Sequence, residues 1–215
     1  MDAHLWNERY AAAELVWSAG PNQFVAAECA DLSPGRAVDL AAGEGRNAIW
    51  LAQRGWRVTA VDFSQVGLDK GRRVAEATDL DGGVEWVCAD VTTWSPAEPV
   101  DLVVVAYLQV PEPDRRAAVT WAVRSLSPGG TLLWVSHDST NLTEGTGGPQ
   151  DASVLLTAED VLADVAASGV EVDVVRAERV ARVVESGDHR GEEERVAWDA
   201  LVRVVRRALE SPDIR

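Results

Sequence analysis

The sequence predicts an α/β protein built on a doubly wound parallel sheet, and three observations carry that expectation. Apolar runs of strand length alternate with segments of helical period, the pattern of a parallel sheet covered on both faces. A glycine pair, Gly43 and Gly45, stands between the first apolar run and the helix-like segment after it. Acidic residues stand at or near the ends of three consecutive runs, at Asp39, Asp62 and Asp90. With 215 residues, the chain has the length of one domain with one sizeable core.

Taken in order, Ala37 to Ala41 reads as the first strand and runs straight into Gly43-Glu44-Gly45. Arg46 to Arg54 reads as a helix with Ala48, Ile49, Leu51 and Ala52 inward, ended by Gly55. Trp56 to Val61 is the second strand, ending at Asp62, and Ser64 is placed to cap a helix reaching Ala77. After a turn at Asp81-Gly82-Gly83, Val84 to Cys88 is the third strand. Asp101 to Ala106 is the fourth. Asp114 is expected to cap a helix to Leu126, and Pro128-Gly129-Gly130 to break it and launch Thr131 to Ser136 as the fifth strand. A polar, glycine-rich loop spans His137 to Gln150, a length that is usually functional or mobile. Thr157 to Asp160 resembles a capping box and starts a helix ending at Gly169. The stretches Val170 to Val184 and Arg195 to Arg206 could be helical by period, but their valine density favours a long antiparallel hairpin.

The N-terminal 34 residues read as a helical cap on a core spanning 35–215. Leu5, Trp6, Tyr10, Leu15, Val16, Trp17, Phe24 and Val25 give apolar faces to two short helices broken at Gly20-Pro21. They either plug one end of the sheet or form a lid that carries aromatics over a cleft.

Thirty-five acidic residues against 20 basic ones leave a formal charge of −15, the wrong sign for gripping a phosphate backbone, so nucleic acid is disfavoured as a partner. Cys29 and Cys88 lie far apart with no CxxC or Cys/His cluster, which argues against a metal site, and both are expected to fill core space. No signal-peptide pattern opens the chain and no apolar run is long enough to span a bilayer. A cytoplasmic location and no membrane partner are therefore expected.

The stretch Asp39-Leu-Ala41-Ala-Gly43-Glu-Gly45-Arg46-Asn-Ala48 carries most of the chemical information. Its glycines let the backbone turn sharply and let a ligand approach it without a Cβ in between, and the helix behind them offers free N–H groups. Nineteen residues beyond Gly43, Asp62 is placed to accept both hydroxyls of a ribose. Asp90 can reach an adenine amino group beside Phe63 and Val91. Ligands of open α/β sheets bind at the carboxyl ends of the strands, where all of these residues fall.

Asp39-x-Ala-x-Gly43-x-Gly45, Val-Asp62-Phe-Ser, Ala-Asp90-Val and Leu126-Ser-Pro-Gly-Gly-Thr-Leu-Leu133 together resemble the class I S-adenosylmethionine-dependent methyltransferases. Gly43-Glu-Gly45-Arg46-Asn47 with Trp50 and Gly55, and Trp6-Asn7-Glu8-Arg9-Tyr10, are similar to the tellurite-resistance and thiopurine methyltransferase group. Ala41-Ala42 departs from the usual Gly or Cys before the glycine pair. The resemblance implies a Rossmann-like seven-stranded sheet of order 3-2-1-4-5-7-6 with strand 7 antiparallel, which agrees with the C-terminal hairpin. It implies S-adenosyl-L-methionine as cofactor. Asp39 would support the glycine loop and the ligand's amino group, Gly43 and Gly45 would line the methionine moiety, Asp62 would hold the ribose, Phe63 and Val91 the adenine faces, Asp90 the adenine amino group, and Ala106 and Tyr107 the sulfonium border, with Ala41 and Arg46 as further cofactor-binding residues.

In-line methyl transfer rests mainly on placement. His137, oriented by Asp138, is the best-placed base should the acceptor have to lose a proton, and Tyr107 could orient the acceptor. Arg46 could hold an anionic acceptor or pair with Glu44 instead. Trp6, Tyr10 and Phe24 suggest an apolar or heteroaromatic small molecule under the lid, and His189-Arg190 has a loose counterpart in the tellurite group. The acceptor class expected is a small nitrogen, sulfur, oxygen or metalloid nucleophile, with the chain a monomer or homodimer. Two rivals are a nicotinamide-dependent oxidoreductase and a non-catalytic S-adenosylmethionine-binding or interaction protein. The first lacks a Tyr-x-x-x-Lys pair, since Val66 stands four residues before Lys70; the intact glycine and aspartate positions speak against the second.

Overall fold

The structure is a computed structural model, and it describes residues 3–12, 20–78, 80, 83–184 and 195–208. Expectations that fall on Leu15, Val16, Trp17, Asp81-Gly82 and His189-Arg190 lie outside the described residues.

Seven strands form one sheet: β1 (Arg36–Leu40), β2 (Arg57–Asp62), β3 (Val84–Cys88), β4 (Val100–Ala106), β5 (Leu126–His137), β6 (Val172–Val184) and β7 (Arg195–Arg206). Their order is β3-β2-β1-β4-β5-β7-β6. The first five pair in parallel, and β7 runs antiparallel to both β5 and β6. This is the Rossmann-like fold and strand order that the sequence resemblance implies. The hairpin reading of the tail holds over its helical alternative, because β7 enters the sheet between two partners and buries Ala197, Leu201, Val202 and Val204. Fully burying a residue of valine or leucine size is worth roughly 1.5–3 kcal/mol, more than helix propensity can offset locally.

Among the described residues, seven α-helices accompany the sheet: α1 (Ala3–Ala11), α2 (Gln23–Cys29), α3 (Arg46–Gln53), α4 (Gln65–Ala77), α5 (Glu112–Arg124), α6 (Asn141–Glu144) and α7 (Ala158–Ala167). Two apolar layers result. One packs α5 and α7 onto a sheet face through Val119, Val123, Val161 and Val165 around Trp134. The other packs α2 and α3 onto the opposite face through Val25, Cys29, Ala48 and Leu51. Ser64 caps α4 by accepting from Gly67 N–H, and Thr157 with Asp160 closes a reciprocal capping box on α7, both as the sequence suggests.

Three local expectations need correction. Asp114 does not cap α5: Pro111 is the N-cap residue, and Asp114 lies in the first turn, where its charge faces the positive helix end. The fifth strand begins at Leu126, not Thr131, because Leu126 pairs with Val100 across an irregularity that absorbs Pro128 and a left-handed Gly129 at φ 82°. Cys88, expected in the core, is exposed on edge strand β3, whereas Cys29 is buried and its thiol is pushed up to about 12 by burial. Among the described residues, no helix is long and apolar enough to cross a membrane.

Candidate active site

The turn after β1 is held from both sides by strand-end carboxylates. Ala41, Gly43 and Gly45 all have left-handed backbone, at φ 58°, 56° and 69°. Gly45 is the N-cap residue of α3 and has no side chain to cap it. Asp39 does so instead, its Oδ2 accepting from Ala48 N–H at 3.0 Å. Asp39 is buried, and its Oδ1 has no partner among the described residues. Burial therefore pushes its pKa from 3.8 up to about 7, against the opposing pull of the Ala48 N–H and Arg46. On the other side Asp62 accepts from Gly43 N–H at Oδ2 and from Ser64 N–H at Oδ1, both at 2.8 Å. Burial raises the Asp62 pKa, and these N–H groups limit the rise.

The side-chain space of Gly45 is already occupied. A Cβ on Gly45 would lie 2.4 Å from the Trp86 ring, and one on Gly71 of α4 would meet the same ring at 2.5 Å. Gly45 is therefore small in part because an indole fills its side-chain space.

A narrow cleft lies over the carboxyl ends of β1, β2 and β4, bordered by Ala41, Asp62, Phe63 and Ala106, with Trp6 and Tyr10 of α1 above it. Asn7 accepts from Ser64 Oγ at 2.6 Å, and the Lys70 ammonium donates to Tyr10 O, so α1 is docked on the start of α4. Lys70 also pairs with Glu44 at 3.5 Å. With α1 in this position the cleft encloses only about 50 Å³, below the roughly 300–1,000 Å³ typical of small-molecule sites.

Beyond it opens a larger chamber of about 800 Å³, reached past Arg46, Tyr107 and Gln109, the three residues that border both spaces. Its deep wall is a cluster around Asp199, a fully buried residue of β7. Tyr107 Oη donates to Asp199 Oδ2 at 2.8 Å and Arg182 Nε to the same oxygen at 2.6 Å. His137 stacks on Tyr107 with ring centroids 4.6 Å apart, and its Nδ1 lies 3.3 Å from Asp199 Oδ1, off line for a hydrogen bond. Burial alone would push the Asp199 carboxyl up, but His137, Arg182 and Tyr107 outweigh it and hold the group below the usual carboxylate range. Burial and the nearby Asp199 charge raise the Tyr107 phenol. Burial lowers the Arg46 pKa despite the opposing influence of Tyr107 and Asp39.

Residues 37–130 match a family model described as a methyltransferase domain. These residues are similar to that domain, and the strand order of the whole sheet is that of the class I methyltransferase fold. Over 161 residues the chain is 35% identical to the trans-aconitate 2-methyltransferase of Streptomyces coelicolor, covering 66% of this chain and 52% of that one. Over 111 residues it is 33% identical to the tRNA 5-carboxymethoxyuridine methyltransferase of Escherichia coli, covering 50% of this chain and 42% of that one. Thus the chain spans about half, or less, of the length of these relatives. Among solved structures, the N-methyltransferase NodS of Bradyrhizobium japonicum, in complex with S-adenosyl-L-homocysteine, superposes with a TM-score of 0.68 at 20% identity, over 96% of this chain and 99% of that one.

Within this fold the structure gathers Trp6, Tyr10, Ala41, Arg46, Asp62 and Phe63 at the narrow cleft, together with Ala106 and Tyr107. Three expected residues fall elsewhere. Phe24 packs into the α2–α3 layer, because α2 is drawn onto the sheet by Val25 and Cys29. Val91 is buried in the opposite core, and Asp90, which does not line the cleft, accepts from Thr92 N–H and Oγ at its Oδ1, at 2.8 and 2.7 Å. Asp138 does not orient His137; it accepts from Thr140, and Asp199 stands beside the imidazole instead. The N-terminal segment thus divides, with α2 in the core and α1 over the cleft. Asp199, Arg182 and Gln109 were missed, and the one available signal was an aspartate inside the apolar run Val196 to Leu201.

Proposed function

We propose that the protein transfers the methyl group of S-adenosyl-L-methionine to a small-molecule nucleophile. One observation carries this reading: a narrow cleft over the glycine turn and a larger chamber meet at Arg46, Tyr107 and Gln109, at the carboxyl ends of β1 and β4. That is the layout for two reactants brought face to face. NodS, which shares the fold, is seen with S-adenosyl-L-homocysteine, and the relatives' names give one small-molecule and one tRNA acceptor.

The residues at the cleft suit the cofactor chemically. Asp39 has a buried oxygen without a partner, close to the turn that would face an ammonium group. Asp62 accepts backbone N–H groups at both oxygens, and a carboxylate has about four acceptor positions, which leaves room for a ribose hydroxyl. Phe63 offers an apolar ring, and Ala41, Gly43 and Ala106 would shape the methionine end. When bound, the cofactor supplies an electrophilic methyl on a sulfonium. The protein's task is alignment, an effect that can reach roughly 7–11 kcal/mol. Tyr107, fixed by Asp199, would set the wall against which the acceptor rests, with His137 behind it for an acceptor that must lose a proton. Entry of the cofactor requires α1 to lift, since 50 Å³ holds no nucleoside.

Calorimetric titration with S-adenosylmethionine, S-adenosylhomocysteine and NADH tests the reading. Micromolar binding of the two sulfur ligands, none of NADH, and loss on Asp62→Ala are expected. Absence of binding by either sulfur ligand would overturn it.

A further inference from the structure

The two ring nitrogens of His137 have unlike surroundings. Nδ1 is buried, lies 3.3 Å from Asp199 Oδ1 and has no hydrogen-bond partner among the described residues. A Cβ added to Gly148 would lie 3.1 Å from the same nitrogen, so the backbone of the glycine loop covers that edge. The ring also lines the larger chamber. Nε2 is neither buried without a partner nor hydrogen-bonded among the described residues, so it is the nitrogen open to the chamber.

The two oxygens of Asp199 differ in a matching way. Oδ2 accepts from Tyr107 Oη at 2.8 Å and from Arg182 Nε at 2.6 Å, whereas Oδ1 has only a long 3.4 Å contact from Arg182 Nη2. A buried nitrogen that turned its lone pair to a carboxylate oxygen would be repelled, so the proton of the neutral imidazole belongs on Nδ1. Nδ1–H and Oδ1 then lack only alignment, and catalytic pairs of this kind tighten when the reactants bind. Burial opposes the charged form of Asp199, yet His137, Arg182 and Tyr107 hold its carboxyl below the usual range, so it stays anionic where an imidazole titrates.

Resting on the methyltransferase reading above, we propose that His137 takes a proton at Nε2, that Asp199 is the residue that positions it, and that the acceptor is a neutral acidic hydroxyl, a phenol or an enol. The acceptor class follows from what a base adds. A neutral amine already carries a free electron pair, and a thiol, at about 8.5, ionises in part unaided. A phenol, at about 10, keeps its proton at neutral pH yet is acidic enough to yield it to an imidazole. An aliphatic alcohol, nearly as weak an acid as water, is not. The step balances. The hydroxyl proton passes to Nε2, the oxygen's electron pair forms the bond to the methyl carbon, and the carbon–sulfur bond breaks with its pair going to sulfur. The products are a methyl ether, S-adenosylhomocysteine and an imidazolium, which returns its proton to water. That cation faces Asp199 and Arg182 of the β6–β7 hairpin, Tyr107 after β4, and Arg46 of α3 and Arg9 of α1 across the chamber. Asp199 is the one anion among them.

The test uses the 215-residue protein, whose 3 histidines make the imidazole signals assignable. Nitrogen NMR of its S-adenosylhomocysteine complex should show neutral His137 protonated on Nδ1, and Asp199→Asn should move that proton to Nε2. In parallel, methyl-labelled S-adenosylmethionine is offered with phenol, catechol, resorcinol and naphthol, each beside the matching aniline and thiophenol. At least one phenol should give an alkali-stable ether, with turnover rising through one ionisation between about pH 5 and 8. His137→Gln, which leaves the Asp199–Arg182 pair in place, should lower kcat roughly 100- to 10,000-fold without changing S-adenosylhomocysteine affinity. Asp199→Asn should lower kcat and move the ionisation to lower pH. An unmoved profile with a raised KM alone would overturn its positioning role. Should Asp199→Asn fold poorly, the tautomer of the parent protein and the His137→Gln rates decide. Neutral His137 protonated on Nε2, transfer to no phenol or preferentially to an aniline or thiophenol, or full turnover by His137→Gln would overturn the proposal. Failure of S-adenosylhomocysteine itself to bind would mark failure of the methyltransferase reading instead.

Discussion

The Tyr107 hydroxyl donates to Asp199 Oδ2 at 2.8 Å, tying the end of β4 to the middle of β7, 92 residues away in sequence. Tyr107 does this from left-handed backbone at φ 62°, a conformation that costs a non-glycine residue on the order of 1 kcal/mol or more and persists only where surrounding contacts hold it. The aromatic side chain at the junction of cleft and chamber is thus fixed at both its backbone and its hydroxyl.

That anchoring predicts a measurable coupling. Asp199→Asn leaves Arg182 partly buried without its counter-charge and should destabilise the protein by about 3 kcal/mol, read by urea denaturation. Adding Arg182→Met should restore part of the loss, and a strictly additive double mutant would refute the coupling.

Gly45 and Trp86 form a second dependent pair. Gly45→Ala places a methyl 2.4 Å from the indole and at φ 69°, so a loss of about 1–3 kcal/mol is expected from overpacking with a further backbone penalty. Trp86→Leu in the same chain should recover the overpacking part alone. Guanidinium denaturation of the single and double variants separates the two contributions.

Stability should depend on pH through Asp39. Below about pH 4 its carboxyl is protonated whether the chain is folded or not. Between 3.8 and about 7 the unfolded chain releases the proton and the folded one keeps it, so stability falls as pH rises across that window and levels off above it. Asp39→Asn should flatten that part of the slope. Melting temperatures of both proteins from pH 4 to 8 check it, and parallel curves would show that Asp39 titrates normally.

Cofactor entry should be limited by α1. Lys70→Met removes the ammonium that binds Tyr10 O and Glu44, loosening the helix from α4. Stopped-flow mixing with S-adenosylhomocysteine should then show faster association and faster release than in the parent protein. Unchanged rates would mean that α1 lifts without breaking these contacts.

Much of the candidate site was legible because its residues are neighbours in sequence. Asp39, Gly43 and Arg46 belong to one strand–turn–helix unit, and Asp62 closes the next strand, so local spacing placed them at one end of the sheet. Asp90 and Phe24 were less legible: Asp90 follows β3 and caps its own turn through Oδ1, while Phe24 lies on a helix whose Val25 and Cys29 pull it toward the core. The packing of α2 has no sequence signature.

The alternation of apolar runs and helical segments determined the α/β class, and the glycine turn with its strand-end acids marked the end of the sheet where the candidate site lies, because both depend on contacts within a few residues. Tertiary structure decided that an indole fills the side-chain space of Gly45, that α1 closes the cleft, and that Asp199 gathers Tyr107, His137 and Arg182 into one wall. Those relations join residues far apart in the chain. They form only when β7 inserts between β5 and β6 and carries a buried carboxylate to the end of β4.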